Sequence, residues 1–349
     1  MKNHQAELSF LRKLPKVELH LHLDCSLSWE VVKKLRPDIP QEDYSTDFIA
    51  PAKCRNLSDF LKRASSGIEL MQTREELEMV TCDLFSQLEN ENVVYAEIRF
   101  APLQHLKDGL QPEEVVESVS NSIGLCTEKT GIKAGIILCT LRHFSEDQSL
   151  QTIRLVEKYI DNSLVVGFDL AADEAGYPID NHKKAFEYAI SKGIPRTAHA
   201  GEAKGPESIK ETLKCFAPSR IGHGVKSIED PELMKKLRDD NIHLEVCPTC
   251  NVQVDVFDSY SNHPIDYLYK SGISVGINTD ARTLTNITLS EEYLKLMEEF
   301  DWNYGDLLKC NLNAISHAFT SDNCKTHLKY KIIKDYQKFC PDFDFQVYA

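Results

Sequence analysis

Short runs of apolar, often β-branched residues alternate with longer amphipathic stretches along most of the chain. The first four apolar runs are Lys16–His22, Val93–Phe100, Ile132–Leu141 and Leu164–Leu170. The later ones are Pro195–His199, Arg220–His223, Ile242–Cys247 and Ile273–Asn278. Amphipathic segments between them include Glu75–Asn90, Pro112–Thr130, Glu207–Phe216 and Pro231–Asp239. This alternation is typical of repeated βα units that build a parallel sheet.

Eight such strands with helices between them predict an α/β fold of the TIM (β/α)8 barrel type. The length of 349 residues fits a single barrel domain over residues 1–349 that carries insertions. The alternative is a doubly wound open sheet, but the chain lacks the glycine-rich turn that this fold places after its first strand. We therefore expect the barrel.

The segment from about residue 26 to residue 71 is longer than a simple connection between the first strand and its helix requires. Two interpretations remain open for it. It is either a lid over the mouth of the barrel or a helical decoration on its outside.

Histidine and aspartate residues fall at the ends of several predicted strands. His20 and His22 are two residues apart on one strand, so their imidazoles point to the same face. His199 ends the fifth strand, His223 ends the sixth, and Asp280 follows the eighth. Because the active sites of barrels lie at the carboxyl ends of the strands, we expect these side chains to meet. We expect the glycines beside His199 and His223 to leave room for a ligand to approach the backbone.

Three neutral imidazoles and one carboxylate form a suitable ligand set for Zn²⁺ with one position left open. We expect one metal ion, because the fourth strand runs into Ala171-Ala172-Asp173-Glu174 without the lysine that bridges two metals in binuclear barrels. Glu202, three residues beyond His199, is placed to donate and accept protons. We expect His223, which two glycines flank, to lie outside the metal shell and to orient the water.

Several motifs occur in a specific order along nearly the whole chain. They are PKVELHLHLD, YAEIRFAP, DLAADE, TAHAGEAKGPESI, RIGHG, EVCPTCNVQ, HPI, GINTDAR and NLNAISHAF. In this order and spacing they resemble the adenosine deaminase family, whose fold is a TIM barrel with one zinc ion. The resemblance therefore implies the same fold as the strand pattern.

The resemblance also implies individual roles. It makes His20, His22, His199 and Asp280 the zinc ligands, and Glu202 the group that protonates purine N1. His223 and Asp280 would hold the attacking hydroxide.

For substrate binding, the resemblance implies that Asp24 contacts the ribose, with His22 close to the substrate. A related subgroup that deaminates N6-methyl-AMP usually has Asn at the position of Asp24, so the aspartate favours an unphosphorylated sugar. The predicted lid residues Leu57, Phe60 and Leu61 resemble the apolar gate of the family.

The sequence departs from the family pattern at three positions that contact the substrate in the family. Cys25 replaces the glycine of HLDG, and Ala172 replaces a glycine whose N–H contacts purine N3. Ala281 replaces an aspartate that contacts purine N7. The zinc ligands and the acid–base residues are unaffected, so these changes bear on recognition of the base and the sugar.

The function that these residues predict is zinc-dependent hydrolytic deamination of adenosine or deoxyadenosine to inosine or deoxyinosine and ammonia. Related 6-aminopurines are alternatives: a 5′-modified adenosine, aminodeoxyfutalosine, adenine or N6-methyl-AMP. Two further hypotheses are a metal-dependent amidase or esterase on the same scaffold and a binding or signalling protein that has kept the fold.

The composition limits the kinds of partner and the cellular compartment that we expect for this protein. With 40 Lys and Arg against 54 Asp and Glu, the net charge of −14 argues against a nucleic-acid partner but not against a small neutral ligand. No uninterrupted apolar stretch is long enough for a membrane span. The eleven scattered cysteines suggest free thiols in a reducing compartment, so we expect a cytoplasmic enzyme. The sequence leaves the oligomeric state open.

Other reactive side chains have simpler interpretations. We interpret Cys247 and Cys250 as structural or pocket-lining thiols, and Asp173-Glu174 as hydrogen-bonding support at the rim. Arg99 and Arg142 are expected to form internal ion pairs below the mouth. A structural role is predicted for the remaining histidines considered, His105, His143, His243, His263 and His317.

Overall fold

Eight parallel strands form the wall of a barrel in the computed structural model, which describes residues 2–345. The strands of the first half are β1 (Lys16–His22), β2 (Val93–Phe100), β3 (Lys133–Leu141) and β4 (Val165–Ala171). Those of the second half are β5 (His199–Ala200), β6 (Arg220–His223), β7 (His243–Val246) and β8 (Val275–Ile277).

Backbone pairing joins the two halves at both seams. Within each half the strands pair in sequence order, β1 to β4 and β5 to β8. Between β4 and β5, Phe168 pairs with Arg196, and the Phe168 N–H donates to the Pro195 carbonyl at 3.0 Å. Between β8 and β1, Leu21 pairs with Asp280. The barrel interpretation is confirmed and the open sheet is wrong.

The fifth strand is the element that departs most from its predicted bounds. Regular pairing covers only His199–Ala200, although the apolar pattern predicts a strand over Pro195–His199. Pro195 has no N–H to donate, and Arg196 pairs with β4 as a single bridge. The other predicted strands agree with the structure to within one or two residues at each end.

Helices follow the strands and cover the outside of the barrel. In the first half they are α1 (Lys2–Leu11), α2 (Trp29–Leu35), α3 (Gln41–Asp47), α4 (Leu57–Leu61), α5 (Ala64–Ile68), α6 (Arg74–Asn90), α7 (Pro112–Thr130) and α8 (Glu146–Tyr159). The next are α9 (Lys183–Ser191), α10 (Pro206–Phe216), α11 (Pro231–Asp239), α12 (Pro248–Gln253) and α13 (Ile265–Lys270). The last are α14 (Arg282–Thr285), α15 (Leu289–Phe300), α16 (Tyr304–His317) and α17 (Asp322–Phe339). Among residues 2–345, no helix is both long and apolar enough to cross a bilayer.

The segment after β1 fits both of the interpretations left open by the sequence. Its first part, α2 and α3, packs outside the barrel, with α2 against α6. Its later part, α4, begins at Asn56, whose side chain accepts the Asp59 N–H at 2.9 Å. The apolar face of α4 turns Leu57 and Phe60 inward, and both are buried. This short helix lies over the mouth of the barrel.

A buried ionic network links β1 to the segment after β8. Arg282 donates to Glu18 at 2.7 Å and to Glu91 at 2.8 Å, and all three side chains are almost fully buried. Burial alone would raise the pKa of Glu91, but the Arg282 and Lys16 charges outweigh it and hold that pKa at about 2. The network therefore anchors the chain two residues beyond Asp280.

We predict that Arg282→Met lowers the free energy of unfolding by about 3–5 kcal/mol at neutral pH, because two buried carboxylates lose their partner. The ordinary pKa of Glu91 is 4.5 and its folded pKa is about 2. Its contribution is therefore complete above about pH 4.5 and declines as the pH falls toward 2. Urea denaturation at pH 7 and pH 3 should show a smaller loss at the lower pH.

Arg36→Met is the matched control, since Arg36 pairs with Asp38 on the exposed surface. It should leave the urea midpoint unchanged. Equal effects of the two substitutions would contradict the importance of the buried network.

Candidate active site

Imidazole and carboxylate groups converge at the carboxyl ends of the strands. The potential ligand atoms of His20, His199, His223 and Asp280 all lie within 4.8 Å of one another. Nε2 of His22 is 3.2 Å from Nε2 of His199 and 3.4 Å from Oδ1 of Asp280. The structure thus brings together the five residues that the strand pattern places at this rim.

Carboxylates behind two of the imidazoles determine which ring nitrogen faces the centre. His20 Nδ1 lies 2.9 Å from Glu245, and His199 Nδ1 lies 3.2 Å from Asp169. Because a carboxylate accepts, each Nδ1 carries the proton and each Nε2 presents a lone pair. His20 Nε2 then lies 3.1 Å from Asp280 Oδ1, with no proton of its own to share. The lone pairs of His20 Nε2 and Asp280 Oδ1 face each other at this distance, an arrangement that suits a cation bound between them.

Arg99 holds both of these carboxylates beneath the site. Its guanidinium donates to Asp169 at 2.9 Å and to Glu245 at 2.7 Å, and all three side chains are fully buried. The predicted ion pairing of Arg99 is confirmed. The same prediction for Arg142 is wrong, because this side chain donates to the His199 carbonyl at 2.8 Å instead. Arg142 thus secures the backbone of the short strand β5.

The backbone is strained at three positions in the site. His223, Asp280 and Ala172 have φ values of 62°, 65° and 76°, in the left-handed region that favours glycine. Such strain costs on the order of 1–3 kcal/mol per residue and is found mainly at functional sites. At Asp280 and His223 it turns the side chains toward the common centre.

The glycines beside His199 and His223 make room for side chains of the protein. A Cβ on Gly222 would lie 2.9 Å from Cε1 of His20, and one on Gly201 would lie 2.3 Å from Cδ1 of Ile209. The sequence suggested instead that these glycines leave space for a ligand. That interpretation is wrong at these two positions, since close packing takes up the space.

Glu202 is a buried acid next to the metal-binding groups. Burial, with the charge of Asp280 as a second cause, raises the pKa of Glu202 well above its usual range. Its Oε1 accepts from Asn251 Nδ2 at 3.3 Å and faces the thiol of Cys250 at 3.8 Å. Its Oε2 lies 3.6 Å from His223 Nε2. A carboxyl group whose pKa is raised in this way keeps its proton to a higher pH and can act as a general acid.

Glu174 fixes the loop that carries Glu202. Its carboxylate accepts the backbone N–H groups of Gly201, Glu202, Ala203 and Lys204 at 2.7–3.0 Å. Four hydrogen bonds to one buried charge hold this turn rigidly. The supporting role predicted for the Asp173-Glu174 pair is therefore seen at Glu174.

A small cavity of about 50 Å³ lies over the convergent groups. That is room for a few water molecules at most. Its lining residues are His22, Cys25, Leu57, Phe60, Leu61, Ala172, His199, Glu202, His223, Asp280, Ala281 and Leu284. The three predicted lid residues and all three departures from the family pattern are among them.

A wider cavity of about 390 Å³ adjoins the small one, and the two share His22, Cys25, Leu61 and Ala172. Asp24 lines this wider space, and burial raises its pKa to about 6. The other charged residues of its lining are Asp173 and Lys62. The ribose-binding residue expected from the sequence thus lies next to the reactive centre.

Two lining or supporting residues were not found from the sequence. Leu284 reaches the cavity from α14, directly after the Asp280 turn. Asn251 contacts both Glu202 and His223. Asn251 directly follows Cys250 in the EVCPTCN motif, and its contacts with Glu202 and His223 are too distant in sequence for a local pattern to indicate them.

The sequence profile described as adenosine deaminase matches residues 15–335. The chain belongs to the adenosine deaminase family. It is a hydrolase of the type that acts on C–N bonds of purines. The family is metal-dependent, in agreement with the convergent imidazoles.

Individual relatives cover almost the whole chain. An adenosine deaminase from Clostridium acetobutylicum is 35% identical over 326 residues, which cover 91% of this chain and 97% of that protein. The crystal structure of an adenine deaminase from Arthrobacter aurescens has a TM-score of 0.83 at 25% identity and covers 92% of this chain and 98% of its own. An amidohydrolase from Burkholderia ambifaria, solved with bound Zn, has the same fold, with a TM-score of 0.87 at 21% identity and coverage of 96% and 94%.

We predict that Asp169→Asn lowers the affinity of the site for a divalent metal about ten- to a hundredfold. The amide can no longer accept from His199 Nδ1 as a charged group, so the ring loses basicity and orientation. Competition with a chromophoric chelator measures this affinity.

Asp180→Asn is the control, because Asp180 is an exposed partner of Lys183. The control should bind metal like the unchanged protein. Undiminished affinity in Asp169→Asn would show that the carboxylate behind His199 is dispensable.

Proposed function

We propose that this protein deaminates adenosine and deoxyadenosine hydrolytically, which yields inosine or deoxyinosine and ammonia, with one Zn²⁺ per chain. One observation carries the proposal: a buried Glu202 whose pKa is raised lies 3.6 Å from His223, beside a cluster of inward lone pairs. A general acid next to a metal site is the combination that hydrolytic removal of an aromatic amine requires.

We assign His20, His22, His199 and Asp280 as the zinc ligands. When bound there, zinc would supply Lewis acidity and lower the pKa of a water molecule toward neutrality. The donor set of imidazoles and one carboxylate supports zinc. The fourth ligand is either His22 or His223. His223 Nδ1 accepts a hydrogen bond from Asn251 Nδ2, which places the proton of a neutral ring on Nε2 and so favours His22 as the ligand.

Each side chain then has its own role in the reaction. Glu202 donates its proton to N1 of the purine, which makes C6 electrophilic. His223 and Asp280 orient the water oxygen that adds to C6. One proton of the water replaces the proton that Glu202 gave to N1. The other passes from the new hydroxyl group on C6 to the amino group, which leaves as ammonia, and the ring becomes the 6-oxo form.

The lining of the wider cavity favours a substrate without a phosphate. Its charged side chains are two carboxylates and one lysine, and the lysine is largely exposed. A 5′-phosphate placed there would lie close to Asp24 and Asp173 without a buried cation to bind it. This argues against N6-methyl-AMP as the substrate.

A second candidate function is supported by the same cavity. Leu61, Ile68 and Leu141 form part of its wall, so an adenosine with an uncharged 5′ substituent would also find apolar contacts. The changes to Cys25, Ala172 and Ala281 leave an apolar surface around the base, which is compatible with either nucleoside.

We propose that residues 1–349 form one domain, of which the structure describes residues 2–345. We place the enzyme in the cytoplasm, since all eleven cysteines are free thiols, as expected in a reducing compartment.

The test is ammonia release, with loss of the 6-amino absorbance, by zinc-loaded protein. The substrates are adenosine, deoxyadenosine, 5′-methylthioadenosine, adenine, aminodeoxyfutalosine and N6-methyl-AMP. Turnover of the two unmodified nucleosides supports the main proposal, and turnover of 5′-methylthioadenosine alone supports the second. If neither class releases ammonia, both are wrong.

We predict that Glu202→Gln lowers kcat for adenosine by about 10²–10⁴-fold, because the amide has no proton to give to N1. Steady-state assays of zinc-loaded protein measure this effect. Glu207→Gln, an exposed change on the neighbouring helix α10, should keep full activity. Ester hydrolysis that survives Glu202→Gln would favour the amidase or esterase alternative.

A further inference from the structure

A chain of three hydrogen bonds leads from the backbone of α13 to His223. It starts at the Ile265 N–H, which donates to His263 Nδ1 at 3.2 Å. Since Nδ1 accepts, the proton of a neutral His263 must be on Nε2. His263 is buried, and its burial lowers its pKa to about 3, so the ring is neutral at physiological pH. One backbone group thus sets the tautomer of this imidazole.

His263 in turn fixes the orientation of the Asn251 amide. His263 Nε2–H donates to Asn251 Oδ1 at 3.2 Å. The Phe257 ring, whose centroid is 5.2 Å from that of His263 in an edge-on contact, helps to hold the imidazole. With Oδ1 committed to His263, Nδ2 is directed to the opposite side. A flipped amide would place two donors against each other there.

Asn251 Nδ2 faces two groups of the proposed mechanism. It lies 3.3 Å from Glu202 Oε1 and 3.1 Å from His223 Nδ1. Asn251 is fully buried, so water cannot replace either contact. As an amide NH₂ has two donors and no acceptor, both neighbours must accept.

The contact with Asn251 determines the tautomer of His223. If its Nδ1 accepts, its single proton is on Nε2, the nitrogen that lies 3.6 Å from Glu202 Oε2. His223 then presents a donor to the cavity, which suits a residue that orients the attacking water and not one that binds a metal. The opposite tautomer would present a lone pair at the same point.

We propose that His263 and Asn251 are positioning residues that set the tautomer of His223 and hold Glu202 in place. The kinetic part of this inference rests on the proposed deamination; the tautomer itself does not. The sequence alone gave His263 a structural role, and Asn251 no role.

The test uses four variants of the full-length, zinc-loaded protein. His263→Phe removes the donor to Asn251, and His263→Gln keeps an N–H that can replace it. Asn251→Asp keeps the shape but puts an acceptor opposite His223 Nδ1. His243→Phe is the matched control, because His243 is also a buried histidine but bonds to Ser274 at the far end of β7.

The first readout is the ¹⁵N spectrum of histidine-labelled protein, with the His223 signals assigned by their loss in His223→Asn. We expect the Nε2–H tautomer in the unchanged protein and in His243→Phe. We expect a mixture in His263→Phe and mainly the Nδ1–H form in Asn251→Asp. The Nε2–H tautomer in both Asn251→Asp and His263→Phe would overturn the proposal.

The second readout is the division between kcat and KM for adenosine. We expect His263→Phe to lower kcat at least tenfold with KM changed less than threefold, and His263→Gln to recover at least a third of kcat. Equal losses in the Phe and Gln variants would overturn the positioning role. If the unchanged protein deaminates no nucleoside but the tautomer shifts as expected, the proposed function fails and the assignment of the tautomer stands.

Discussion

The site depends on the contacts between two buried carboxylates and the imidazoles in front of them. Glu245 and Asp169 accept hydrogen bonds from the Nδ1–H groups of His20 and His199, so the lone pairs of both Nε2 atoms face inward. Arg99 forms ion pairs with both carboxylates, and all three side chains are fully buried. Without that cation, Asp169 would lose its guanidinium partner, and Glu245 would keep only Arg220. Burial would then favour protonated carboxyl groups, and the tautomers of the rings would be less firmly fixed. The catalytic surface therefore rests on a charged layer inside the barrel.

Around that layer, the protein holds reactive residues in backbone conformations that are unfavourable on their own. His223 and Asp280 have left-handed backbones, and Glu202 sits on a turn held by four N–H groups bound to Glu174. Ion pairs of Arg282 with Glu18 and Glu91 secure the chain beyond Asp280. Strain at the reactive residues is thus balanced by bonds made just outside the cavity.

Much of this arrangement could be predicted from the sequence. Strand periodicity of two places His20 and His22 on one face, and the order of the strand ends predicts the convergence of His199, His223 and Asp280. Other features depend on contacts that no local pattern encodes. The short β5 reflects pairing of Arg196 with β4, the space beside Gly201 is filled by Ile209, and Arg142 binds a carbonyl instead of a carboxylate. Likewise, Asn251 and His263 meet only because α12 and the turn before α13 fold together.

The small size of the inner cavity has a consequence for affinity. A space of about 50 Å³ under Leu57, Phe60 and Leu61 cannot hold a purine, so α4 must be displaced before a base reaches the reactive groups. Exposing the buried side chains of Leu57 and Phe60 costs on the order of 1.5–3 kcal/mol each. Molecules with α4 displaced are therefore a minority, and the apparent dissociation constant of a ligand equals its intrinsic value divided by that fraction. A helix of five residues thus raises the ligand concentration at which the site is half occupied.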